Sequence, residues 1–145
     1  MYHLAKTFTV ESVTSGHPDK VCDQISDAIL DACLTEDPAS RVAMECFGGH
    51  NLLVIGGEVT TKARVDYEAV GRQVYRDIGY TDELQVITRV AEQSPEIAQG
   101  VDEGKGVDME QGAGDQGIMY GYATNETKEY LPEAIVKVHA LTRGL

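Results

Sequence analysis

Between Pro18 and Glu36 the apolar residues Val21, Ile25, Ala28, Ile29, Ala32 and Cys33 recur every third or fourth position, while Asp23, Asp27 and Asp31 fall on another face. A stripe of this length fixes one amphipathic helix, and that helix needs a flat apolar surface to lie on. Pro18 suits its first turn, where a missing N–H costs nothing, and Asp37-Pro38 ends it. The spacing predicts a helix over Pro18–Glu36.

The surface it needs is supplied by strand-like segments. Thr7 to Glu11 alternates and is rich in Thr, Phe and Val, which predicts a short strand. Arg41 to Phe47 and Leu52 to Thr60 read as two strands of a hairpin closed by a four-residue turn, Gly48-Gly49-His50-Asn51. Gly56-Gly57 inside the second strand predicts a bulge or a close approach by another group. A second helix is predicted from Asp66 to Ile78, with Val70, Val74 and Ile78 on one face, Asp66 as N-cap and Gly79 as C-cap. Gln85 to Ala91 reads as a further strand. Gln93 to Gly117 holds six glycines, several carboxylates and no sustained period, the composition of a functional loop or lid or of a disordered segment. Ile118 to Thr124 then resumes a strand pattern, and Pro132 to Leu141 starts a helix with Ile135, Val138 and Leu141 near one face. The order β-α-β-β-α-β, a long mobile loop, then β-α predicts an α/β chain of the α+β type: a mixed sheet with helices packed on one face. A length of 145 residues suits one domain, or one domain plus the start of another.

Charge narrows the partners. Twelve Lys and Arg against 24 Asp and Glu give a formal charge of −12, which repels nucleic acid backbones and anionic membranes. Carboxylates can instead hold hard cations such as Mg²⁺. No apolar run reaches a membrane span, and Met1 to Val10 has no basic start followed by an apolar block, so a cytoplasmic protein is expected. Cys22, Cys33 and Cys46 form no CxxC pair and are expected to be small core residues.

Three regions could carry chemistry. Ser15 to Lys20 lies at a predicted helix start, where unpaired N–H groups and the helix dipole favour an anion. There His17 could donate to an oxyanion and Asp19 could hold a cation; spacing alone favours a plain capped helix, with Pro18 starting it and Asp19 offsetting the dipole. Gly112 to Gly117 satisfies GxGxxG, but the dinucleotide pattern needs a strand before it and a helix after it. An acidic loop precedes this one and a strand-like segment follows, which argues against a nicotinamide oxidoreductase. Glu45 and Glu58 sit in the two predicted hairpin strands. Each faces either the core, where it needs a partner, or water, and the pattern favours water.

Taken together these regions resemble one family. GHPDK at 16–20 with DQISDAILDA at 23–32, GGEVTT at 56–61, QSPEIAQGVD at 93–102 and GAGDQGIMYGYATNET at 112–127 are similar, in order, to segments of methionine adenosyltransferases (S-adenosylmethionine synthetases). The resemblance implies an N-terminal domain over 1–101 and the start of a central domain over 112–145. It implies transfer of the adenosyl group of ATP to L-methionine, with Mg²⁺ and K⁺, in a homodimer or higher oligomer whose sites lie between subunits. His17 resembles the catalytic, ATP-binding residue beside the departing phosphate oxygen. Asp19 resembles the Mg²⁺ ligand and Glu45 the K⁺-site carboxylate. Glu58, Gln93 and Asp115 resemble the methionine contacts. CFGGHN at 46–51 departs from the family turn, which tends to carry Lys and Thr, and Ala134 stands where a second proline is common.

The resemblance also implies that much of the polyphosphate-binding charge lies beyond Leu145, so the 145 residues are expected to be inactive alone. The alternative is a non-catalytic partner that pairs with a full-length synthetase and modulates it.

Overall fold

The computed structural model describes residues 7–93 and 117–145. Helix α1 spans Pro18–Glu36 and buries Val21, Ile25, Ile29 and Cys33, one residue per turn, as its stripe requires. Its end is tied down by Asp37. One carboxylate oxygen accepts from the Ala39 N–H at 3.1 Å and the other from the Lys62 N–H at 2.9 Å. One side chain therefore joins the helix exit to the chain leaving the hairpin.

The hairpin follows as β1 (Arg41–Gly49) and β2 (Leu52–Thr60), antiparallel, with Arg41 opposite Thr60 and Gly49 opposite Leu52. Its turn is shorter than the predicted four residues. Gly48 and Gly49 belong to β1, and only His50 and Asn51 connect the strands, at φ 52° and 62°. Two successive left-handed residues match the twist of paired strands, so the ladder extends through the glycines up to the turn. Gly56 and Gly57 produce no bulge, because the pairing runs one for one past them. The close approach is real: Gly57 has φ 136°, and a Cβ there would run into the Ala43 carbonyl oxygen.

Helix α2 (Tyr67–Ile78) is capped as predicted. The Asp66 side chain accepts from the Ala69 N–H, and Gly79 closes the helix at φ 115°. Gly71 is buried, and a Cβ on it would lie 2.9 Å from Leu53 Cδ2, so its missing side chain lets α2 lie close on β2. Strand β3 (Gln85–Glu92) pairs parallel with β2, which gives a mixed sheet in the order β1-β2-β3. Met44, Leu53 and Ile55 of the sheet join the α1 stripe and Leu84 in one core, with Val70 and Val74 of α2 packed against it. Both helices thus cover the same face, as the sequence predicted.

The chain divides into two compact units, Pro18–Ile118 and Met1–His17 with Met119–Leu145. In the second of these, α3 (Glu133–Arg143) follows Pro132. The Glu126 carboxylate accepts from the Glu133 N–H, and the Thr127 hydroxyl bonds both the N–H and the C=O of Leu131, fixing the turn that leads into the helix. Two predicted strands are not formed: neither residues 7–11 nor 118–124 carry regular structure. Alternation shows that a segment fits a pleated surface, but a strand exists only with a ladder partner, and neither segment gains one among the described residues. Ile118, Met119, Tyr120 and Tyr122 are consequently exposed. The mobile loop predicted over Gln93 to Gly117 lies, apart from those two end residues, outside the described residues.

Candidate functional site

The sheet has one face under the helices and one face that neither helix covers. Alternation assigns the residues. Val42, Met44 and Cys46 of β1 and Val86, Thr88 and Val90 of β3 turn toward the helices, whereas Ala43, Glu45 and Phe47 and then Ile87, Arg89 and Ala91 turn the other way. Cross-strand register then orders the uncovered face in rows: Phe47–Val54–Ile87, Glu45–Gly56–Arg89 and Ala43–Glu58–Ala91. A fourth row is Arg41, Thr60 and Gln93. Gln93 lies one residue past β3, and its N–H donates to the Val59 carbonyl at 3.2 Å, which prolongs the parallel ladder.

Glu45, Glu58 and Gln93 therefore share one sheet face. Glu45 is exposed and Glu58 half-buried, so both carboxylates avoid the core, as the sequence pattern favoured. Gln93 is fixed by side chains that sequence reasoning missed. Arg41 Nε donates to its Oε1 at 3.3 Å, and the Thr60 hydroxyl donates to the same oxygen at 3.4 Å. A cleft of about 580 Å³ borders this row, lined among others by Thr60, Thr61, Lys62, Tyr67 and Glu92.

The helix-start residues lie elsewhere in the chain. Asp19 is exposed in the first turn of α1. His17 is half-buried, its N–H donating to the Thr14 carbonyl at 3.1 Å, and it closes the N-terminal segment of its unit, whereas Asp19 belongs to the other. Asp115 lies outside the described residues. So does the glycine-rich hexapeptide except Gly117, and no helix follows it over 117–124, which removes the context a dinucleotide motif needs.

Among the described residues no three His, Cys, Asp or Glu side chains converge on a metal position. Asp19 and Glu45 each offer a single oxygen-donor group. That fits a hard cation held by one or two carboxylates and completed by substrate oxygens or water, not a closed protein cage. The cysteines do not compete for such a role. Burial, with neighbouring Cys22 and Glu45, pushes the Cys46 thiol up to about 11, and burial with Asp19 and Asp23 raises that of Cys22. Both stay protonated near neutrality. Cys33 is buried in the core and Cys46 packs against it, as expected, whereas Cys22 is half-buried and outside that cluster. Among the described residues no helix is long and apolar enough to cross a membrane.

A helix-covered mixed sheet with two acids and a held amide on its other face is the frame on which comparison with known proteins bears. Residues 5–98 match the S-adenosylmethionine synthetase N-terminal domain and residues 110–145 the S-adenosylmethionine synthetase central domain. The chain belongs to the S-adenosylmethionine synthetase family. It is 53% identical over 146 residues to the S-adenosylmethionine synthase of Sorangium cellulosum, covering 95% of this chain and 35% of the relative. With that of Akkermansia muciniphila it shares 55% over 148 residues, covering 92% and 37%. With that of Clostridium tetani it shares 50% over 157 residues, covering 98% and 40%. The chain thus spans well under half the length of these relatives.

Proposed function

We propose that this chain carries the amino-acid-binding part of a methionine adenosyltransferase site, with an N-terminal domain over 1–101 and the start of a central domain over 112–145. The observation that carries the reading is the gathering of Glu45, Glu58 and Gln93, far apart in sequence, on the one sheet face that the helices leave open. A carboxylate is suited to an α-ammonium and an amide N–H₂ to an α-carboxylate, so Glu58 and Gln93 together suit a zwitterionic amino acid.

The reaction converts ATP, L-methionine and water to S-adenosylmethionine, pyrophosphate and phosphate. A lone pair of the methionine sulfur forms the bond to the ribose 5′ carbon, and the C–O bond breaks with its electron pair leaving on the triphosphate, which water then hydrolyses. The thioether has no proton to lose, so no general base is required; positioning and stabilisation of the departing charge are what the protein must supply. His17 donates to a leaving phosphate oxygen. Glu58, Gln93 and Asp115 hold methionine. Asp19 and Glu45 would hold Mg²⁺ and K⁺, which supply the positive charge that the polyphosphate needs. The working enzyme is a homodimer or larger.

Residues 1–145 carry a net charge of −12 and are poorly suited to hold ATP unaided. The test joins these residues to the remaining part of the Sorangium cellulosum relative. The chimera is expected to make S-adenosylmethionine from ATP and methionine, and the 145-residue polypeptide by itself to make none. A folded chimera without synthesis contradicts the reading.

A further inference from the structure

We infer that Arg41 and Thr60 are positioning residues that turn the Gln93 amide so that its N–H₂, not its oxygen, is offered to a substrate carboxylate; this rests on the methionine-site reading of the uncovered face.

The argument begins with which atoms can bond. A guanidinium only donates, so the Gln93 atom facing Arg41 Nε at 3.3 Å must be the carbonyl oxygen. The ambiguity that usually attends a glutamine amide is removed by that one contact. The Thr60 hydroxyl, 3.4 Å from the same oxygen, donates as well. Two donors on Oε1 occupy both of its lone pairs and leave the amide nitrogen as the group the side chain can present.

The surroundings decide what that nitrogen suits. Thr60 and Glu58 are two residues apart on β2 and share the uncovered face, so their side chains stand roughly 7 Å apart along the strand. That is about the span of an amino acid's two charged groups with their hydrogen bonds. Glu58 accepts from the ammonium end, and the oriented Gln93 donates to the carboxylate end. A flipped amide would put an oxygen against a carboxylate and repel it. The arrangement discriminates against amines that lack a carboxylate.

The experiment measures side-chain order in the 145-residue chain labelled with ¹⁵N. The Gln93 amide of the unsubstituted chain is expected to relax like a held group, with an order parameter near the rigid-backbone value of roughly 0.85, and to drop below about 0.6 in Thr60→Val and in Arg41→Met. Thr60→Ser keeps the hydroxyl and is expected to restore it. A Gln93 amide already below about 0.6 in the unsubstituted chain, or one that Thr60→Val leaves unchanged, overturns the inference. In the chimera, Thr60→Val should raise KM for methionine several-fold with kcat little changed, and Thr60→Ser should recover it. If the amide loses order while KM stays fixed, the positioning stands and the methionine-site reading falls.

Discussion

The two faces of the sheet obey opposite rules. On the covered face Met44, Leu53 and Ile55 are at most 8% exposed and close against the α1 stripe. On the other face Phe47 is 68% exposed and Ile87 38%, and charged groups from all three strands stand among them. Both faces are built from the same strands, one residue out of phase. The covered face is chosen for shape and dryness; the uncovered one holds polar groups that a core could not tolerate unpaired. Packing and exposure therefore separate by alternation within each strand, and substitutions should separate in the same way.

The largest effect is expected at Ile55, fully buried. Ile55→Ala should cost about 2–5 kcal/mol by urea denaturation, whereas Phe47→Ala should stay within about 0.5 kcal/mol. Equal losses at the two would break the comparison. Next comes Gly57, whose φ of 136° and approach to Ala43 leave no room for a methyl group. Gly57→Ala should cost about 2 kcal/mol and weaken the β1–β2 ladder, seen as faster amide exchange along it. A gain is expected at Thr88, on the covered face, whose hydroxyl is buried with no hydrogen-bond partner among the described residues. Thr88→Val keeps the shape and removes the unpaired group, and should raise stability by about 1 kcal/mol; a loss would show that the hydroxyl is satisfied in solution.

The smallest effect depends on pH. Backbone N–H groups of Lys62 and Ala39 hold the Asp37 carboxyl below the ordinary carboxylate range. Its folded-state pKa is thus lower than its unfolded one. The stability it contributes is complete above the ordinary range and is lost as pH falls through the folded value. Asp37→Ala should therefore lower the urea midpoint near neutrality, and the difference should shrink as pH falls through the folded value. A difference that persists unchanged in acid would assign the effect to packing instead.

What was legible in the sequence was local. The α1 stripe, the Asp66 and Gly79 caps and the strand from Leu52 to Thr60 each depend on neighbours within a turn or two, and each formed where predicted. The hairpin turn is shorter than predicted because Gly48-Gly49 only resembles a turn, whereas His50-Asn51 adopt the left-handed pair that a two-residue connection uses. The strands expected at 7–11 and 118–124 failed for want of a partner, which alternation cannot supply. The family motifs pointed to Glu45, Glu58 and Gln93, but nothing local pointed to the groups that hold Gln93. Arg41 and Thr60 reach it across 52 and 33 residues of sequence, and only the sheet register brings the three into one row. Asp115 lies outside the described residues and remains a proposal of the motif alone.

The central claim, that the uncovered face is the working face, is tested most directly by methionine kinetics of the chimera substituted once on each face. Glu58→Gln should raise KM for methionine on the order of 10- to 100-fold, the loss of a charge-assisted bond to the ammonium, and Thr88→Val should leave it unchanged. An unaltered KM in Glu58→Gln, or an equal rise in both, would contradict the account.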